Sequence, residues 1–206
     1  MIDLFETPKI DLTKLVCHSG GADGADTYFE KIGEEFGVKT KAYSYKTKYH
    51  QSQNKVEISE EDYTEGISEV KKANLFLKRF GIDKFMNLLA RNWAQVKYSK
   101  QVFAIGQIVD PGEKGSRGYS SKSKCQSVDG GTGYAVQMAI NNNRDVFVFD
   151  QTKLKWFKWS YNTSTFIECN DPIIIVEDFA GIGTRKINES GIEAIKNLYN
   201  KTFKIK

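Results

Sequence analysis

The chain is poor in cysteine, histidine and proline: three Cys, two His and three Pro among 206 residues. Cys17, Cys125 and Cys169 are odd in number and widely spaced. That excludes a disulfide framework and a CxxC metal site, and it fits a reducing compartment. With His18 and His50 as the only imidazoles, no metal-ligand spacing arises. No apolar run approaches the roughly 20 residues needed to span a bilayer. The start, Met1 to Ile10, carries acids and a proline where a secretory signal has an apolar core. An excess of one charge is missing too. Lys+Arg total 30 and Asp+Glu 26, a formal net charge of +4. Bulk nucleic-acid binding normally shows a stronger basic excess or stripe. These absences imply a soluble, cytoplasmic protein with no membrane partner.

What is present is a normal apolar fraction, 40%, and 17 Gly. At this length the composition predicts one domain over 1–206, a single core with room for a small appendage.

Leu15-Val16-Cys17 is a short apolar run that ends in Ser19-Gly20-Gly21-Ala22-Asp23-Gly24-Ala25-Asp26. Ala25, Tyr28, Phe29, Ile32 and Phe36 then recur with helical spacing, and Gly37 fits the stop. Val38 to Tyr45 reads as a second strand, and Lys46 to Lys55 is polar without a period. Ser59 followed by Glu60-Glu61-Asp62 starts another helix, because the hydroxyl can cap it and the acids suit its positive end. Phe85 to Val96 is a further amphipathic helix, with Phe85, Leu88, Leu89, Trp93 and Val96 on one face. Gln101 to Val109 reads as a strand, and 110–128 as a long loop rich in Gly, Ser and Lys. Asp129-Gly130-Gly131-Thr132-Gly133 opens a helix that runs to Ile140, and Val146 to Phe149 is a strand covered on both faces. Lys153 to Ile167, with Leu154, Trp156 and Phe166, predicts a small antiparallel hairpin as the appendage. Ile173 to Val176 reads as a buried strand leading into Phe179-Ala180-Gly181-Ile182-Gly183-Thr184-Arg185, and Asn188 caps a last helix. Strand, glycine loop and helix thus occur three times. This predicts an α/β, Rossmann-like fold: a mainly parallel sheet with helices on both faces.

A helix N-terminus preceded by glycines is a ready anion site. Its first N–H groups lack intrahelical partners, and glycine lets a phosphate approach the backbone. In open α/β sheets such loops gather at the carboxyl ends of the strands. The candidate ligand-binding residues are therefore Ser19, Gly20, Gly21, Ala22, Asp23 and Asp26 in the first loop. The second loop contributes Gly130, Gly131, Thr132 and Gly133, and the third Gly181, Gly183, Thr184 and Arg185. Ser19 can donate to a phosphate or cap the helix. Asp23 and Asp26 can take ribose hydroxyls, although a carboxylate in a first helical turn also simply suits the dipole. Arg185 is the best phosphate clamp, because guanidinium binds phosphate bidentately. Lys114, Arg117, Lys122 and Lys124 make the 110–128 loop either a lid or a solvated segment. His18 reads as a packed, hydrogen-bonded histidine, and His50 has no evident partner. Trp156 and Trp159, with Tyr161, offer either a base-stacking platform or hairpin packing.

The Ser19–Asp26 string followed by Asp129–Gly133 resembles the SLOG superfamily. That group includes Lonely Guy-type nucleoside-phosphate hydrolases, DNA-processing protein A-like domains, putative molybdenum-cofactor carriers and sensors of NAD-derived nucleotide signals. The resemblance covers most of the chain outside the hairpin. The order of motifs departs from the family, since relatives carry a segment like Phe179–Arg185 before the Ser-Gly-Gly-Ala loop. This implies a circular permutation that sets Ile173–Val176 beside Leu15–Cys17. A second departure is Gln137, which stands where Lonely Guy-type enzymes carry a catalytic Glu. An amide cannot ionise or act as a general base.

The resemblance implies binding of a nucleotide-derived small molecule, ADP-ribose-like or a cyclic nucleotide signal. In a phage or phage-infected bacterial cell this would serve as an anti-defence sponge. The alternative is a hydrolase that cuts an N-glycosidic or phosphate bond with Asp23, Asp26 or Asp129. No cofactor or metal is expected, and nucleic acid is not an expected partner. The family's habit implies a homodimer or higher homo-oligomer.

Overall fold

The apolar runs and amphipathic stretches become ten strands and five α-helices among the described residues of a computed structural model, which are 11–47, 50, 52–116 and 118–204. In chain order they are β1 (Val16–Ser19), α1 (Ala25–Glu35), β2 (Lys39–Ser44), β3 (Lys55–Glu57), α2 (Glu60–Leu77), α3 (Met86–Lys97), β4 (Gln101–Gly106), β5 (Ile108–Val109), β6 (Ser127–Val128), α4 (Thr132–Asn141), β7 (Asp145–Asp150), β8 (Lys155–Ser160), β9 (Thr165–Cys169), β10 (Asp178–Gly183) and α5 (Glu189–Lys204). Eight strands form one sheet in the order β3-β2-β1-β10-β4-β7-β8-β9. The first six are mutually parallel, β8 pairs antiparallel with β7 and β9 antiparallel with β8, and β5 and β6 pair separately. The α/β class expected from the repeated strand-loop-helix pattern is therefore the one observed.

Each face of the sheet has its own core. Phe29 and Ile32 of α1 pack with Ile195, Leu198 and Tyr199 of α5 against Cys17, Phe103, Phe147 and Phe179. On the other face, Leu89, Trp93 and Val96 of α3 and Val136 and Met138 of α4 cover Val102, Ala104, Val146 and Val148. Helix α2 lies outside, on α3 and α4. It starts where Ser59 accepts the Asp62 N–H at 3.0 Å, behind three acids that complement its dipole. Gly66 lets it close on α3, since a side chain there would overlap the Ala90 carbonyl.

Several elements differ from the sequence reading. The strand expected at Ile173–Val176 lies later, at β10. The Ile174 N–H donates to Thr202 Oγ1 and the Ile175 N–H to Gln101 Oε1, so side chains rather than a strand take these amides. The neighbour of β1 is accordingly 178–180, with Val16 opposite Asp178. Gly181 and Gly183 are thus strand residues, not a phosphate loop. They are small because α1 lies on them: a Cβ on Gly181 would overlap Phe29, and one on Gly183 would overlap Ala25. The run 101–109 breaks at Gln107, because the Ile108 N–H turns to Asp150 Oδ2. Strand β3 has three exposed residues and no apolar period to announce it. Phe85 ends a short 3-10 turn ahead of α3 and is 53% exposed rather than on the buried face. The hairpin forms, and its strands extend the central sheet. Trp156 sits edge-on to Phe103 and Phe149 on one face, while Trp159 packs with Phe166 in the core of the other. Two indoles on opposite faces cannot make one stacking platform. Leu154 is an exposed turn residue with φ +56°, outside the alternating set.

Candidate functional site

The loops that follow β1, β10 and β4 meet at the carboxyl edge of the sheet. The Ala25 N–H donates to the Thr184 carbonyl at 3.0 Å, and the Thr184 N–H to the Ile105 carbonyl at 2.9 Å. Beside Ile105, a side chain on Gly106 would meet Val128 and come within 3.9 Å of Thr132 Cγ2. Residues 24–25, 184, 105–106 and 132 therefore form one continuous rim. Ligands of open α/β sheets lie at such an edge. Of the sequence candidates, Thr184 and Arg185 lie against Gly24 and Ala25 on this edge and Thr132 lies beside Gly106, while Gly181 lies inside the sheet.

Beneath the first loop is a buried charge pair that the sequence reading did not assign. Asp26 and Arg91 are 5% and 4% exposed, with Arg91 Nη1 3.8 Å from Asp26 Oδ2. The Gly183 N–H donates to Asp26 Oδ1 at 3.1 Å, and the Ala22 and Gly20 N–H groups also point to this carboxylate. Burial pushes the Asp26 carboxyl up to about 6, against the opposing pull of Arg91 and the three amides. Burial likewise lowers the Arg91 pKa, opposed by Asp26. Arg91 Nη1 donates to Gln95 Oε1, one turn along α3. Gln95 Nε2 is buried with no partner among the described residues. Glycine at position 20 is what admits this pair, since a Cβ there would overlap both Arg91 and Asp26. Gly24 has φ +102° and lies against the Arg185 backbone, where no side chain fits. Asp26 thus organises the loop from within and occupies the amides of Gly20 and Ala22. A ligand would find the remaining loop backbone and the arginines.

The second loop is braced from behind. Arg79 donates through Nη1 to the Gly130 carbonyl and through Nη2 to the Val128 carbonyl at 2.6 Å, and its guanidinium lies over the Tyr134 ring. Tyr134 Oη and the Arg79 N–H both bond Asn74 Oδ1. Asp129 accepts from the Ser116 N–H at 2.9 Å and from its hydroxyl at 2.5 Å. Burial raises the Asp129 pKa, but the Ser116 bonds together with the Gly130 N–H and the Arg79 charge outweigh it, and the net direction is down. Gly131 is exposed with open space around it, and Gly133 is buried in the first turn of α4.

The other candidates fall as follows. Ser19 is fully buried and its hydroxyl donates to the Asp26 carbonyl. Asp23 is exposed. Arg185 is exposed and lines a depression of about 320 Å³ with Tyr45 and the start of α3. The His50 ring lies over Gly21, and burial followed by the Arg91 charge lowers its pKa. His18 is a packed core histidine: Nε2 donates to Asp178 Oδ1 and Nδ1 accepts from Tyr43 Oη, each at 2.9 Å. Gln137 is 6% exposed and donates to Asn141 Oδ1. Lys114 and Lys124 are exposed, and Lys122 Nζ lies 4.5 Å from the Phe80 ring centroid. Arg117 and the segment Met1–Ile10 lie outside the described residues. Among the described residues no acidic, His and Cys group could hold a metal, and no helix is long and apolar enough to cross a membrane.

The sequence carries no signal for Arg91: helical spacing sets it away from the face of Leu89, Trp93 and Val96, where an arginine is expected to meet solvent. Comparison with protein-family models, curated proteins and solved structures finds no match to this chain.

Proposed function

We propose that the protein binds a nucleotide-derived small molecule, ADP-ribose-like or a cyclic nucleotide signal, at the carboxyl edge of β1, β10 and β4. The observation that carries this reading is the buried Arg91–Asp26 pair set under a rim of loop backbone, with Arg185 exposed on that rim. A buried arginine is costly unless its charge is balanced; Asp26 at 3.8 Å balances it in part, and an anionic group on the rim would add to that attraction. The backbone of the Gly130–Thr132 turn, held by Arg79, adds polar groups on the same rim. In a phage-infected cell such a protein would act as a sponge for a signal molecule.

The test is an incubation analysed two ways. The purified protein is mixed with nucleotides, ADP-ribose and cyclic ADP-ribose isomers. Free ligand is removed, the protein is denatured, and the released molecules are identified by mass spectrometry. Intact ligand in stoichiometric amount is the expected result. Affinity no better than millimolar for the whole panel overturns the reading.

A further inference from the structure

We infer that the depression between Tyr45, Arg185 and the start of α3 receives the planar base of the ligand, while the anionic part lies towards Arg91. This deepens the binding reading above and rests on it. The depression, about 320 Å³, lies at the lower end of the roughly 300–1,000 Å³ typical of small-molecule sites, room for one base with its attached sugar. Its lining includes Tyr45, Asp83, Lys84, Phe85, Asn87 and Arg185. Tyr45 follows β2 and Arg185 follows β10, so the depression opens on the same edge as the rim. Asn87 of the lining lies one turn before Arg91 on α3, and the Arg185 backbone abuts Gly24 of the first loop, which places the two features side by side.

The chemistry of the lining is specific. It offers two aromatic rings, those of Tyr45 and Phe85. Phe85 is 53% exposed, an apolar ring in the lining of a largely polar depression. Asn87 Oδ1 accepts the Tyr63 hydroxyl, which leaves its amide N–H groups as donors. Asp83 supplies an acceptor, and Lys84 and Arg185 supply positive charge. A flat ring whose edge carries both donors and acceptors, joined to an anion, satisfies all of these at once. A bare sugar phosphate leaves the rings and the amide unused.

The experiment measures affinity by calorimetry for the full chain with AMP and ADP-ribose, which carry a base, and with ribose 5-phosphate, which does not. Base stacking on an aromatic side chain predicts that Phe85→Ala weakens AMP and ADP-ribose by about five- to hundredfold. Ribose 5-phosphate is expected to keep its affinity in this variant, and Tyr45→Leu provides an independent second variant. Arg185→Gln is expected to weaken all three. If wild-type protein binds ADP-ribose and neither ring substitution changes its affinity, or each weakens ribose 5-phosphate equally, the base assignment is wrong and the binding reading stands. If wild-type protein binds none of the probes or the wider panel, both fall.

Discussion

Replacing Asp26 by asparagine tests the core of the site without a ligand. The folded carboxyl sits at about 6 against an ordinary 3.8, because burial disfavours its charge more than Arg91 and the amides of Gly183, Ala22 and Gly20 favour it. At about 1.36 kcal/mol per pH unit this gap corresponds to about 3 kcal/mol. The sign follows from proton counting. Between pH 3.8 and about 6 the folded state holds this proton more tightly than the unfolded chain does. The contribution is fully present below pH 3.8 and is lost as pH rises through about 6. The amide of the Asp26→Asn variant cannot titrate, so the stability of wild type relative to that variant must fall by about 2 kcal/mol between about pH 4.5 and 7. Titrating groups that do not interact with Asp26 are common to both proteins and cancel. Urea unfolding followed by the fluorescence of the buried Trp93, Trp156 and Trp159 measures it. Parallel stability curves would refute the reasoning. A relative stability that grows with pH would mean that Arg91 and the amides outweigh burial and hold the carboxyl down.

Two other substitutions examine the loops. Gly24→Ala must place a Cβ against the Arg185 backbone at φ +102°, and should cost at least about 2 kcal/mol and about 4–8 °C in Tm. Gly37→Ala, also at positive φ but with open space around it, should cost only about 1 kcal/mol, and equal losses at the two positions would remove the packing argument. Arg79→Met takes its donor from the Val128 carbonyl and leaves the Gly130 carbonyl with the Gly133 N–H alone, and should destabilise by about 1–3 kcal/mol. Faster amide exchange over residues 130–134 is the expected mark, and unchanged exchange there would show that the turn holds without Arg79.

The elements that sequence reasoning places well are those with a strong local signal. Ser59 with three following acids marks the start of α2, and the apolar spacing from Ala25 to Phe36 marks α1. Where it slips, a longer-range constraint outweighs the local pattern. Four apolar residues at 173–176 look more strand-like than Asp178–Gly183, with its two glycines. Yet β10 occupies the centre of the sheet because those glycines let α1 approach, and only the fold reveals that contact. The glycines of the first loop are legible as a special turn, but not for the right reason. Their space is filled by the side chains of Arg91 and His50, which arrive from distant positions in the chain. Asp26 is legible as a residue of the loop, and its buried role is not, because nothing local distinguishes a carboxylate that faces ribose from one that faces three backbone amides.

Whether a molecule held at the proposed site would also be cut turns on which carboxylate is free to reach it. Gln137, at the position where the Lonely Guy-type motif that the sequence resembles has Glu, is buried and bonded to Asn141. Asp26 has its oxygens committed to backbone amides and Arg91, and moving it would undo the loop. Asp129 is tied to Ser116 and held below the ordinary carboxylate range, which suits a structural latch better than a general base at neutral pH. Of the acids proposed from the sequence, only Asp23 is exposed with no hydrogen bond to its carboxylate among the described residues. A hydrolytic reading therefore narrows to Asp23. If product accumulates in excess over protein, Asp23→Asn should reduce its rate by about 100-fold or more, in the range a positioned acid or base contributes. Asp129→Asn should leave the rate within a few-fold. Turnover that survives Asp23→Asn would remove the last carboxylate this reading has, and intact stoichiometric release from wild type would leave binding as the activity.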